Sequence, residues 1–189
     1  MIWFTSDQHF GHANIIKYCN RPFESVEDMN DQLVRRHNLL VEPTDEVYHL
    51  GDFSMHPREL ARLKDMNGRH NLIPGNHDRC HPVHKNWHDK LKLYLDSGFQ
   101  SIYVEDQIIM TDSPFEVVTL HHLPYTGDHH DTEERYKSFR PVDYGGWLLH
   151  GHVHTTWKVK DKMINVGVDQ WGYAPISILQ IREIIRGSE

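Results

Sequence analysis

Asp7-Gln8-His9, Gly51-Asp52, Gly75-Asn76-His77-Asp78, His121-His122 and Gly151-His152-Val153-His154 follow one another along the chain as short clusters of carboxylates, imidazoles and one carboxamide. Carboxylate and imidazole are the side chains that hold divalent cations, and together these clusters carry enough donors for two ions. The chemistry they suggest is metal-dependent hydrolysis. Singly, each has a plainer reading: Asp7 or Asp52 capping a turn, the glycine-led tetrapeptide as a turn, His-x-His as a solvated loop. Most of them directly follow an apolar run, so they stand where a strand ends and a loop begins, and separate loops can then converge on one point. In Gly75-Asn76-His77-Asp78 the glycine permits close backbone approach to an ion and Asn76 offers a neutral carbonyl oxygen. His77 is left to face a substrate, where it can give a proton to a departing alkoxide if Asp78 or another carboxylate orients its ring.

The elements that must position these clusters are legible as alternating apolar and amphipathic stretches. Strands are expected over Ile2–Ser6, Glu46–Leu50, Asn71–Pro74, Ser101–Glu105, Ile108–Thr111, Phe115–Leu120, Gly146–His150, Met163–Val168 and Ile176–Ile181. Ser25 caps an expected helix running to about Val41, with Met29, Leu33, Val34, His37 and Leu40 spaced to face a core. A second helix starts at Pro57 and stops at Gly68, and a third covers Trp87–Ser97. The first half therefore reads β-α-β-α-β and the second half as strands with hairpin-like connections. A mixed α/β (α+β) fold follows, a four-layer α-β-β-α sandwich of two mixed sheets flanked by helices.

At 189 residues and 38% hydrophobic, the chain is expected to form one domain over 1–189 with a sizeable core. A net charge of −7 argues against tracking long nucleic acid, although bound cations would reverse the sign locally and admit a small anionic substrate. No stretch reaches transmembrane length and the N-terminus enters a strand, so no membrane association and a cytoplasmic location are expected. The two cysteines, Cys19 and Cys80, lack a Cys-x-x-Cys pattern and read as free thiols. Seventeen histidines are a heavy load of a versatile metal ligand. Among them His81, His84 and His88 sit at roughly helical spacing, which suits an extra metal site or, more simply, a solvated face.

The ordered set Asp7-x-His9, Gly51-Asp52, Gly75-Asn76-His77-Asp78, a late histidine and Gly151-His152-x-His154 resembles the calcineurin-like metallophosphoesterase superfamily. Phe10-Gly11-His12 with Arg21-Pro22-Phe23, and Asn165-Val166-Gly167-Val168-Asp169, resemble its compact phage and bacterial single-domain type. The resemblance implies that Asp7, His9 and His154 hold one ion, that Asn76, the late histidine and His152 hold the second, and that Asp52 bridges. Of His121 and His122 the second is taken as the ligand, because members with a proline after this motif place the ligand two residues before it, where Pro124 stands two after His122. His77 is then the proton donor and Asp78 its partner. His12, Arg21, Arg79 and His121 are candidates for substrate contact, with Arg21 before Pro22 also readable as a loop anchor. Mixed oxygen and nitrogen donors favour manganese or iron, with zinc or nickel as alternatives. The expected activity is a metal-dependent phosphodiesterase acting on small nucleotide diesters, 2′,3′-cyclic nucleotides first. A phosphomonoesterase is the close rival, and an inactive protein-interaction scaffold the rival of another class. The tract Tyr125–Pro141, with His129, His130, Asp131 and Arg135, is readable as a mobile rim over the site or, more simply, as a plain surface loop.

Overall fold

The computed structural model describes residues 1–104, 117–128 and 135–188, and the backbone of 107–110. Strands β1 (Ile2–Thr5), β2 (Glu46–His49), β3 (Arg69–Leu72) and β4 (Ser101–Ile102) run parallel and adjacent, with β10 (Ile176–Ser177) antiparallel on the β1 edge. The second sheet has the order β5 (Gln107–Met110), β6 (Val117–Leu120), β7 (Trp147–His150), β9 (Met163–Asn165) and β8 (Val159–Lys160). Its β6, β7 and β9 are parallel and its two outer strands antiparallel, so the connection from β6 to β7 is a crossover and not a hairpin. The fold is the expected mixed α/β sandwich of two mixed sheets with helices.

Two apolar clusters hold these layers together. Helices α1 (Ala13–Tyr18), α2 (Val26–Asn38) and α3 (His88–Ser97), with the 3-10 helix Pro57–Asp65, bury Ile15, Met29, Leu33, Leu60, Leu63 and Tyr94 with Phe53, Leu72 and Phe99. Phe4, Leu50 and Ile73 of the first sheet meet Val118, Leu120, Leu149 and Ile164 of the second. Alternation along the strands decides which cluster a residue joins, as Leu72 and Ile73 show by facing opposite ways.

Ser25 caps α2 as expected, accepting from the Asp28 backbone N–H at 3.0 Å, but the helix ends at Asn38 and Leu40 is exposed. The expected strand Ile176–Ile181 is cut short at Ser177. There the Ser177 hydroxyl accepts from Gln180 N–H, and the Gln180 side chain accepts from Ser177 N–H. That capping box starts helix α4 (Ile178–Arg186), whose Ile178, Ile181 and Ile185 enter the inter-sheet cluster at helical spacing. His81 is buried in a run of turns ahead of α3, its Nδ1 accepting from Val83 N–H, so neither the helical spacing nor the solvated face holds for it. Both cysteines are free thiols, and no helix among the described residues is long and apolar enough to cross a membrane.

A chain of neutral imidazoles lies beneath the first sheet. His70 Nε2 donates to Met66 O (3.1 Å), which leaves its Nδ1 to accept from His49 Nε2 (3.0 Å) and His49 Nδ1 to accept from the Gln8 amide (3.2 Å). Beside them His37 bonds Asn67 O at 2.8 Å, and burial lowers its pKa to about 4. An unfolded histidine takes up its proton near pH 6.5, above the folded value, so this stabilisation is complete above pH 6.5 and is lost as the pH falls toward 4. The expected cost for His37 alone is about 2 kcal/mol between pH 7.5 and pH 5. Urea midpoints at the two pH values should therefore fall farther for the wild type than for H37Q, and equal falls would refute the assignment.

Candidate metal centre

Parallel pairing of β1, β2 and β3 brings Asp7, His9, Asp52, Asn76 and His77 to one edge of the first sheet, at the carboxyl ends of its strands. Parallel β6 and β7 deliver His122, His152 and His154 to the facing edge of the second. The two edges are joined by a Ser6–Gly167 bridge and by His152 N–H to the Asp7 carboxylate (3.0 Å to Oδ2), while Asp7 N–H to Gly51 O (3.0 Å) and His9 N–H to Asp52 O (3.0 Å) tie the loops of the first edge and Gly151 N–H to His122 O (2.9 Å) those of the second. Gly51, at φ +89°, leaves no room for a side chain: a Cβ there would run into the Gly75 backbone and lie 2.6 Å from His122 Nδ1. This close approach of the loops is what the glycines of the motifs are for.

Nine described residues other than glycine have positive φ, and five of them are Asp7 (59°), His9 (53°), Asp52 (54°), His152 (69°) and His154 (47°). Left-handed backbone at such side chains is costly and gathers where geometry serves function. Here it turns successive donors inward.

Ligand atoms of Asp7, His9 and His154 lie within 4.8 Å of one another, as do those of Asp7, Asp52 and His122. Asp52 Oδ2 is 3.5 Å from both His9 Nε2 and His122 Nε2, the place of a bridging donor, while Asp52 Oδ1 accepts from His77 N–H at 2.8 Å. Asn76 Oδ1 is 3.2 Å from His122 Nε2. The outer nitrogens are fixed by second partners, His122 Nδ1 by Leu50 O (2.7 Å) and His154 Nδ1 by Asp169 (3.0 Å), which aims each Nε2 into the centre.

The residues fit a pair of cations. His9 is buried with neither ring nitrogen hydrogen-bonded, an arrangement that a metal–nitrogen bond would satisfy. Burial holds its pKa far below 6.5 and so keeps the imidazole in the neutral form that ligates. Burial also acts against charge on His122 and His154. The Asp52 carboxylate nevertheless raises His122 to about 9, and Asp7 with Asp169 raises His154 well above the usual value.

Other expected site residues are placed differently. His152 lines the cavity, but its Nε2 turns to Asp128 at 3.1 Å, outside the two donor groups. Asp78 does not show a bond to the His77 ring. Its buried carboxylate accepts from the backbone N–H of Asp52 (2.7 Å), Gly75 (2.9 Å) and Phe53 (3.2 Å), clamping two motif loops together. His77 is exposed and edge-on to His9 at 5.4 Å between ring centres. His12 is half-buried, 5.5 Å from His9, and lines the same cavity. Arg79 is exposed and His121 bonds its Nδ1 to Leu123 N–H, and neither lines that cavity.

Arg21 is the clearest correction to the expected substrate contacts. Its guanidinium meets Asp169 through Nε (2.8 Å) and Nη2 (2.9 Å) and also donates to Asp7 O and Gln8 O, with both charged side chains fully buried. Its donors hold the first motif in place and do not reach the cavity. R21A leaves the buried Asp169 carboxylate with His154 Nδ1 in place of a guanidinium, and the expected loss of stability is about 3 kcal/mol in chemical denaturation. A loss under about 1 kcal/mol would remove Arg21 from this role.

The cavity has a volume of about 500 Å³, and its lining includes His9, His12, Asp52, His77, His152 and His154, with Ile15 and Tyr18 of α1, Cys19 just after it, Arg135 and the Val153–Thr156 loop. Tyr18 carries no weight in the sequence as a site residue, whereas Asp169 stands in the Asn165–Asp169 stretch and Asp128 and Arg135 in the Tyr125–Pro141 tract. His129, His130 and Asp131 lie outside the described residues.

Fold and centre define a two-sheet α/β sandwich with a candidate metal site where strands from both sheets end. No family model matches the chain. It is 30% identical, over 97% of its length and 90% of the relative's, to an uncharacterized protein of Methanocaldococcus jannaschii. It is 33% identical, over 90% of its length and 87% of the relative's, to the Gene 66 protein of Mycobacterium phage L5. The chain belongs to the family of these proteins. The crystal structure of a protein of unknown function from Aquifex aeolicus has a similar fold, with a TM-score of 0.73 and 29% identity over 97% of this chain and 98% of that one.

Proposed function

We propose that this protein is a dinuclear metal-dependent phosphodiesterase of the calcineurin-like type, acting on small nucleotide diesters. The observation that carries the reading is the position of the Asp52 carboxylate between His9 and His122, with His9 buried and neither of its ring nitrogens hydrogen-bonded. Asp7, His9, His154 and Asp52 would hold one cation, and Asp52, Asn76 and His122 the other, joined by His152 if its ring is presented. Manganese or iron suits this donor set. When bound, the two cations supply Lewis acidity that activates water near neutral pH and neutralises charge on the phosphoryl group.

The chain's own residues do the rest. The cavity admits a substrate to the face that Asp52, His9 and His77 share. His77, exposed on that face and held by its backbone bond to Asp52, is placed to give a proton to the departing oxygen. Asp78 keeps the Asp52 and His77 loops in register through three backbone bonds, so it acts on His77 through the main chain.

The test is hydrolysis of bis-p-nitrophenyl phosphate against p-nitrophenyl phosphate by manganese-loaded protein, with an EDTA-treated control. Metal-dependent preference for the diester supports the reading. Preference for the monoester turns it into a phosphatase, and no turnover of either sinks it.

A further inference from the structure

Helix α1 lies along the cavity with one face. His12 at its N-cap, Ile15 and Tyr18 are spaced by three, which sets them in line on a helix, and all three line the cavity. The line begins beside the metal donors: the His12 ring is 5.5 Å from that of His9, and the Tyr18 ring is edge-on to His12 at 6.1 Å. Cys19, next in the chain, has its Sγ within 4.8 Å of ligand atoms of His154 and Asp169. The end of α1 therefore stands over the His9 and His154 side of the candidate centre, with one imidazole between the Tyr18 phenol and His9.

Tyr18 is 73% exposed, an aromatic ring left in water at a cavity wall. The aliphatic side chains of the same lining, Ile15 and Val153, are buried at 3% and 0% exposed, so an alkyl chain would gain little there. Thr155 and Thr156, exposed in that lining, offer hydroxyls that both donate and accept. A flat group with polar edges suits such a surface better than a chain does, because it stacks through its face and keeps its hydrogen-bonding groups at its rim. The volume of about 500 Å³ falls within the roughly 300–1,000 Å³ of small-ligand sites.

We propose that Tyr18 is the specificity-determining residue of this cavity, the platform on which the base of a nucleotide stacks while its phosphate faces His9 and His154. The inference rests on the phosphodiesterase reading and names what selects a nucleotide over other phosphoesters. Every base presents a π-face, so the platform sorts nucleotides from base-free esters and not one base from another.

Adenosine 5′-monophosphate and ribose 5-phosphate, which differ in the base, are titrated by calorimetry into wild type, Y18A and Y18F in the presence of manganese. Wild type is expected to bind the nucleotide about 5- to 100-fold more tightly than ribose 5-phosphate. Y18A should lose that preference while binding ribose 5-phosphate as wild type does, and Y18F should keep most of it. With 2′,3′-cyclic AMP as substrate, Y18A should raise KM by a similar factor and leave kcat nearly unchanged. Equal affinity of wild type for the two ligands, no binding of the nucleotide, or a preference undiminished in Y18A overturns the platform. The two readings fail separately. Hydrolysis of bis-p-nitrophenyl phosphate by a wild type that does not prefer the nucleotide keeps the phosphodiesterase and sinks the platform. A nucleotide preference that Y18A loses, without hydrolysis of any ester, supports the platform and sinks the enzyme.

Discussion

D52N is expected to cut phosphodiester hydrolysis by at least about 10³-fold and to lower bound manganese from two ions to one or none. Asp52 is 1% exposed, and its Oδ2 stands 3.5 Å from the inward nitrogens of both His9 and His122. An amide there removes the negative charge that faces both His9 and His122 and turns either a neutral oxygen or two N–H donors toward the centre, neither of which can join two cations. The backbone should tolerate the change, because the Asp78 clamp on Asp52 N–H and the Gly51–Asp7 bond do not use the Asp52 side chain. Elemental analysis and turnover of the folded variant check this together. Two manganese ions bound with activity near that of wild type would dismiss Asp52 as the bridging donor.

H77A is expected to slow a diester with a poor alkoxide leaving group by about 10²- to 10⁴-fold while manganese content stays at the wild-type value. The separation follows from placement. His77 is exposed, belongs to neither donor group, and touches Asp52 only through its backbone N–H, which alanine retains. With p-nitrophenolate as leaving group little protonation is needed, so the deficit should shrink markedly. Manganese lost along with turnover would make His77 a ligand, and an equal deficit with both leaving groups would deny it the proton.

Much of the site was legible because parallel strands announce themselves as apolar runs and their ends are the loops that carry donors. Asp7, Asp52, Asn76 and His77 follow β1, β2 and β3, and pairing in register puts them on one edge. Of the two adjacent histidines, His122 turns its ring to Asp52 and Asn76, while His121 Nδ1 accepts from its own loop at Leu123 N–H. The C-terminal helix was readable but overlooked, since Ser177 and Gln180 are a capping-box pair and Ile178, Ile181 and Ile185 have helical spacing. An apolar run as short as Ile176–Ile181 also suits a strand, and the helical period shows only when the run is followed on to Ile185.

What the sequence by itself determined is the kind of protein: two mixed sheets with helices, and an ordered supply of carboxylate and imidazole donors at strand ends. These follow from local pattern, because residue spacing and side-chain type are both properties of short segments. Only the tertiary structure decided the partners. Arg21 meets Asp169 across 148 positions, which removes it from the cavity and makes it a buried strut. Asp78 serves the backbone of two loops instead of the His77 ring. His152 shares its outer nitrogen with Asp128 and, through it, with Arg135. Each of these pairings satisfies a buried charge or polar group with one from a distant loop. Which loops meet depends on strand order and on the packing of the two sheets, neither of which is written in the residues on either side of the bond.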